Sequence, residues 1–472
     1  MTRSQRPNVI WLTIESTRTD HTTVGGAATD TTPNLARIAD ADRGRVVPGC
    51  VAHGVWTLPS SASILTGTYP THHGAGITGE AIPEQLPTVA ERLREAGYHT
   101  RCLSPNSHLS SATGLDRGFD EFAWVSTSTL RETMGVRTLL RYLRNVRAHG
   151  GGLSLEPRRH GTDFMMTDRL TRWLRSAGAG REPYFVYLHY GGPHRPYLPP
   201  TPYYDRLATD ETLPRSEAYD LAADHHDNLF EHVADGCPFS PTEWATLSAL
   251  YDAEIAHVDD LIGDLFDTVR ALDGRDTVFV VTSDHGELFG EGGLLAHQIV
   301  VHDAVVDVPL VVHGFDELAD YDGDAVQHAD VMRTLLEAAG APTEGLQGLD
   351  LRTESRDRAI VQRGGERARQ NLEQIAEFDP AFDTTRYHDG TLHAVRTPTF
   401  KYLRSDDRTE LFRLPDETRD VGDAYPDVVS HLDTELSEWL ETTGRPLTDE
   451  RVDGEFSGAM RQQLRDLGYL VE

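Results

Sequence analysis

Two runs of apolar and β-branched residues constrain the fold more than any other feature of this chain. Val9-Ile10-Trp11-Leu12-Thr13-Ile14 ends at Glu15, and Thr277-Val278-Phe279-Val280-Val281-Thr282-Ser283 ends at Asp284. Runs this short and apolar on both faces read as strands covered from either side. Tyr184 to His189 is a third such run and 308–313 a fourth. They alternate with helical patterns at 34–41, 87–96, 249–272 and 330–339. In the third of these, Ile255, Val258, Leu261, Ile262, Leu265 and Val269 recur at helical spacing. Alternation of this kind predicts an α/β fold with a large, mostly parallel sheet flanked by helices. Ligands of open α/β sheets lie off the carboxyl ends of the strands, so Glu15 and Asp284 are expected to converge.

A third segment supplies a nucleophile. In Gly54-Val55-Trp56-Thr57-Leu58-Pro59-Ser60-Ser61-Ala62-Ser63-Ile64-Leu65-Thr66-Gly67, the Thr57 hydroxyl is placed to open a helix. The free N–H groups of a helix start favour an anion there. A hard divalent cation would take oxygen from Glu15, Asp284 and Thr57 and nitrogen from His285. Such an ion lowers the pKa of a bound hydroxyl and offsets charge growing on an ester's oxygens.

The chain of 472 residues carries 75 acidic and 44 basic side chains, a net charge of −31. Lys401 is the only lysine. An acidic, lysine-poor surface suits a salt-loaded cytoplasm, where counterions screen self-repulsion, and it excludes the cationic surface that nucleic acid requires. The polar start, Met1 to Pro7, runs straight into the first strand, and no apolar span is long enough to cross a bilayer. Cys50, Cys102 and Cys237 are odd in number and lack metal-ligand spacing, so they read as reduced thiols. The expectation is a cytoplasmic protein with no integral membrane segment; its oligomeric state is left open.

Residues 126–181 hold Arg137, Arg141, Arg144, Arg158 and Arg159, and read as a solvated helical insertion, with an anion-binding lid as the alternative. Beyond about residue 350 the pattern changes to short strands at 359–362, 392–395, 400–403 and 410–414, then a helix at 427–441. This divides the chain into a catalytic α/β domain, 1–350, and a small α+β subdomain, 351–472.

In order along the chain come Glu15 with Arg18, Asp20 and His21, the Thr57 loop to Pro70 and His73-Gly74, and Asp116-Arg117-Gly118-Phe119-Asp120. His194-Arg195-Pro196-Tyr197, Tyr251 to Ile255, Asp284-His285-Gly286-Glu287, His297 and Ala394 to Tyr402 follow. This ordered set resembles the sulfatase family of the alkaline phosphatase superfamily across nearly the whole chain. The resemblance implies a sulfatase-like sandwich with a small C-terminal antiparallel sheet. It also implies one divalent metal (Mn, Zn, Ca or Mg) on Glu15, Thr57, Asp284 and His285. His194 and His297 would bind the oxyanion or protonate the leaving oxygen, and Arg18 and Asn106 would touch the anion.

Two departures shift the implied chemistry. Thr57 stands where sulfatases make formylglycine from Cys or Ser, and Ser61 where the accompanying Arg belongs. Oxidised threonine would be a ketone, so no formylglycine is expected. A sulfated threonine also lacks the second hydroxyl by which an aldehyde hydrate expels sulfate, whereas a phosphorylated threonine can be attacked at phosphorus. Glu15-Ser16 also replaces the paired Asp of many sulfatases. The set Glu, Thr, Asp, His is similar to that of the membrane-anchored phosphoethanolamine transferases and lipoteichoic acid synthases. The reading is a metal-dependent hydrolase of a small phosphate or phosphonate ester, glycan- or lipid-linked ones included, working through a covalent Thr57 intermediate. The alternatives are a sulfate-ester hydrolase without formylglycine, a phospho-group transferase to a glycan or lipid, and a catalytically silent metal-binding relative.

Overall fold

A computed structural model of the chain describes residues 6–77, 81–152, 154, 157–177, 182–272, 274–319, 321–448 and 452–469. Parts of the polar start and of the 126–181 segment lie outside the described residues. A seven-stranded sheet forms the centre, in the order Gly44–Val46, Leu310–His313, Thr277–Thr282, Asn8–Ile14, Tyr184–Tyr190, His99–Ser104 and Glu121–Trp124. The last five of these run parallel, while Leu310–His313 is antiparallel to both its neighbours. The sheet is therefore mostly parallel, as the apolar runs predict.

Side-chain alternation on the first strand explains how it is covered. Val9 and Trp11 enter one apolar cluster while Ile10, Leu12 and Ile14 enter another, so opposite faces of one strand serve two cores. The second core is closed by the helix Pro241–Arg270, which buries Val258, Leu261, Ile262, Leu265 and Val269 against it. A capping box between Ser240 and Glu243 and a Pro in the first turn fix where that helix begins. Each such aliphatic side chain contributes about 1.5–3 kcal/mol on burial. The first core is covered by helices that include Thr57–Thr66 and His328–Ala339.

Register fixes the site. Thr13 pairs with both His189 and Thr282, so the chain leaves the sheet at Glu15, at His189-Tyr190 and at Ser283-Asp284 side by side.

The strands Ala359–Arg363, Leu392–Arg396, Phe400–Arg404 and Thr409–Arg413 make a four-stranded antiparallel sheet, and the helix Pro426–Glu441 packs on it through Leu432 and Leu436. Lys401 lies in this sheet with no exposed surface, paired with Glu417 and, at 3.0 Å, with Asp303. The 126–181 segment contains two helices, Leu130–His149 and Asp163–Ala177. Arg137 and Arg144 are solvent-exposed on the first helix, whereas Arg158 and Arg159 line a cavity described below. No described helix is long and apolar enough to cross a membrane.

Candidate active site and metal centre

Thr57 is the first residue of the helix Thr57–Thr66, and it is fully buried. Its hydroxyl donates to Glu15 Oε1 at 2.9 Å and lies 3.3 Å from His285 Nε2. His285 Nδ1 is 2.9 Å from the Gly286 carbonyl, which fixes the proton there and leaves a lone pair on Nε2. The Asp284-His285-Gly286 turn is tight for a steric reason. A Cβ at Gly286 would lie 2.1 Å from the Ala304 carbonyl oxygen, so only glycine lets the two backbones meet.

Asp284 accepts the backbone N–H groups of Ser16 (3.2 Å) and His285 (3.0 Å) on Oδ1, while Oδ2 has no hydrogen-bond partner. Ser16 reaches Asp284 by adopting φ of 57°, the left-handed region, directly after the Glu15 strand end.

Glu15 is the hub. It also receives the Asn106 amide at 2.6 Å and faces His189 Nε2 at 3.4 Å. Burial pushes its carboxyl up, but the His189 contact and the fields of His194, His189 and His285 outweigh this and hold it well below the usual carboxylate range. Burial raises Asp284. Ligand atoms of Glu15, His189 and Asp284 all fall within 4.8 Å of one another. Oxygen and nitrogen acceptors facing one another in a dry space fit a divalent cation, which would relieve the repulsion and use the orphaned Asp284 Oδ2.

His194 and His297 complete the ring. Their ring centroids lie 5.6 Å apart, and His297 is 4.3 Å from His285. His194 Nδ1 contacts the Arg195 carbonyl at 2.8 Å, and His297 Nδ1 contacts Glu287 Oε1 at 3.0 Å, so each turns Nε2 inward with its lone pair. Burial lowers both imidazoles, and both are neutral at pH 7.

The two expected anion contacts differ in where they lie. The Arg18 guanidinium is engaged by Asp20 (2.8 Å), Glu291 (2.6 Å) and the Glu287 carbonyl, and none of its hydrogen bonds goes to Thr57, Glu15 or the imidazoles. Asn106 is at the centre, with one of its two amide hydrogens donated to Glu15.

Two others went unforeseen. His189 ends a strand recognised in the sequence, and its place at a carboxyl end was the available signal. Tyr469 follows the helix Gly458–Asp466, and its hydroxyl sits 2.9 Å from the Thr57 oxygen, 3.1 Å from His194 Nε2 and 3.3 Å from Glu15 Oε1. No local motif announces it.

Beside the centre lies a cavity of about 270 Å³ whose walls include Glu15, Asn106, His194, Arg195, Arg159 and Glu254.

Known proteins are similar to this chain in sequence and in architecture. The family model named Sulfatase matches residues 7–341. Arylsulfatase K of Canis lupus familiaris is 25% identical over 304 residues, covering 58% of this chain. The chain spans 55% of that relative's length. The multifunctional alkaline phosphatase superfamily protein PehA of Trinickia caryophylli is 27% identical over 362 residues, 66% of this chain and 68% of PehA. The crystal structure of the phosphonate monoester hydrolase of Agrobacterium radiobacter superposes with a TM-score of 0.69 at 21% identity, covering 93% of this chain and 96% of that one. The matched span holds Glu15, Thr57, His194, Asp284, His285 and His297, and on that ground the chain belongs to the sulfatase family.

Proposed function

We propose that this protein is a metal-dependent hydrolase of phosphate or phosphonate esters that forms a covalent Thr57 intermediate. The observation that carries this reading is the Thr57 hydroxyl, held at a helix start by Glu15 at 2.9 Å with His285 Nε2 at 3.3 Å. Support also comes from the architectural likeness to a phosphonate monoester hydrolase.

Glu15, Asp284, His285 and the Thr57 oxygen, with His189 within reach, would hold one divalent cation, which supplies Lewis acidity to the hydroxyl and the ester oxygens. The chain's own groups do the rest. Thr57 Oγ1 attacks phosphorus, the P–O bond to the leaving alcohol breaks, and an O–P bond to Thr57 forms. Glu15 is too weakly basic to keep the Thr57 proton. His194 is neutral and presents the Nε2 lone pair, so it takes that proton and returns it to the leaving oxygen. His297, fixed by Glu287, faces the same space with its Nε2 lone pair, where it accepts a hydrogen bond from the attacking water. Water then attacks phosphorus, the P–O bond to Thr57 breaks, His194 passes the water's proton to the Thr57 oxygen, and phosphate or phosphonate is released.

The test assays aryl phosphate monoesters, diesters, phosphonate esters and sulfates side by side with Mn, Mg, Ca or Zn. Phosphoester turnover that falls at least a thousandfold in Thr57→Ala is expected. Sulfate turnover as the sole activity, or product that forms only with an added sugar or lipid acceptor, would replace this reading. Metal binding without any turnover would leave a silent relative.

A further inference from the structure

Arg195 is the feature the mechanism above leaves unused. It is 3% exposed, lines the cavity together with Glu15, Asn106 and His194, and follows His194 directly. No carboxylate lies within ion-pair distance of its guanidinium among the described residues. Its Nε has no hydrogen-bond partner, and Nη1 meets only the His226 ring nitrogen, at 3.5 Å. The other His226 nitrogen is 3.0 Å from the Asp466 carbonyl, so His226 offers a neutral lone pair and no charge. A buried guanidinium without a direct ion pair, with only the field of Glu287 reaching it, is costly, and guanidinium forks match phosphate oxygens.

What lies against Arg195 now is the turn Gly468-Tyr469. A Cβ on Gly468 would stand 3.0 Å and 3.2 Å from the two terminal guanidinium nitrogens, so glycine, at φ of +74°, lets the backbone lie against that cation. The next residue puts its hydroxyl on Thr57 and His194. The turn thus places an oxygen beside the nucleophile and neutral backbone on the cation, while Thr57 itself has no exposed surface. An ester that is to reach Thr57 has to displace Tyr469.

Charge decides which ester gains from this. One divalent cation would offset Glu15 and Asp284, and Arg195 is the buried cation directly beside His194, facing the field of Glu287. A phosphate monoester carries a second negative charge above a pKa near 6; diesters and sulfate esters carry one.

We propose that Arg195, beside His194, forms the subsite that recognises the dianionic phosphoryl group of a phosphate monoester, and that Gly468-Tyr469 holds this place until substrate displaces it. This rests on the phosphoester reading above.

The test uses the full chain in two arms. In the first, inorganic phosphate at pH 8 is titrated calorimetrically into manganese-loaded Thr57→Ala protein with and without Arg195→Gln; Arg195→Gln is expected to weaken phosphate at least tenfold. In the second, kcat/KM is measured for an aryl phosphate monoester and the matching diester. Arg195→Gln should lower the monoester value at least thirtyfold and the diester value less than threefold. Arg195→Lys, which keeps charge but loses the fork, should fall between; it also decides the matter if the Gln variant fails to fold. An unchanged phosphate affinity, or equal losses for both esters, overturns the proposal and leaves Arg195 as a support for the terminal turn. Loss of the phosphoester reading shows separately, as Thr57→Ala protein that still turns over substrate.

Discussion

The hydroxyl of Tyr469 lies 2.9 Å from that of Thr57, although the two residues belong to opposite ends of the described chain. The contact closes the nucleophile off from solvent. Removing only that oxygen, in Tyr469→Phe, deletes one hydrogen bond that an incoming ester must break, a contribution of about 0.5–1.5 kcal/mol. KM is expected to fall two- to tenfold with kcat changed less than threefold. Steady-state kinetics check this, and a rise in KM would mean that the hydroxyl binds substrate instead.

Metal affinity separates the centre from its surroundings. Glu15→Gln and Asp284→Asn should abolish stoichiometric binding of manganese, measured by calorimetry. His189→Ala should weaken it 10–100-fold, the scale on which supporting residues act. Arg18→Ala, whose partners are Asp20 and Glu291, should leave it within twofold of the parent.

The only lysine makes a separate prediction about stability. Lys401→Met leaves Glu417, 4% exposed, without its charge partner and should cost about 3–5 kcal/mol in urea denaturation at pH 7. Burial pushes Asp303 up, but Lys401 and Arg396 outweigh it and hold the carboxyl at about 2. A depressed carboxyl contributes its stability above its unfolded pKa near 4 and loses it as pH falls through 2. The gap between parent and Lys401→Met should therefore narrow from pH 5 to pH 2.5.

Glu254 behaves in the opposite sense. Burial first, then the nearby Asp163, push it up to about 8. A raised carboxyl stabilises the fold fully below its unfolded pKa near 4.3, and the benefit fades as pH rises towards 8. Glu254→Gln escapes that loss, so its melting temperature should exceed the parent's by more at pH 9 than at pH 5. Equal differences at both values would remove the assignment.

With a net charge of −31, dilution should weaken the fold through carboxylate self-repulsion. The melting temperature is expected to climb by several degrees between dilute buffer and molar salt. A flat profile would show that the acidic surface carries no adaptation to salt.

The parts of this architecture that could be read beforehand are those where one residue type answers to one local rule. Val9 to Ile14 and Thr277 to Ser283 had to be sheet interior, and a sheet of that kind gathers Glu15 and Asp284 at one edge. The helix start at Thr57 was legible from its Trp-Thr-Leu-Pro context. His189 was visible as a strand end but not as a neighbour of Glu15, because register between distant strands is set by packing and not by either run alone. Arg18 is an anion contact only as the resemblance implies; after the left-handed turn at Ser16 its guanidinium meets Asp20 and Glu291. Gly468 closes the last helix by a local cap, with its N–H on the Arg465 carbonyl and that of Tyr469 on the Leu464 carbonyl, but the meeting of Tyr469 with Thr57 is tertiary and has no periodicity or motif to betray it.

The centre borrows side chains from positions 15, 57, 106, 189, 194, 284, 285, 297 and 469, so segments from both ends and the middle of the chain meet at one point. No contiguous fragment can reproduce it, and any cut or cooperative opening dissolves it entirely. Ligand held there accordingly tightens the whole polypeptide, by about 2.7 kcal/mol at a hundredfold excess over Kd, which makes occupancy a gauge of the integrity of the entire molecule.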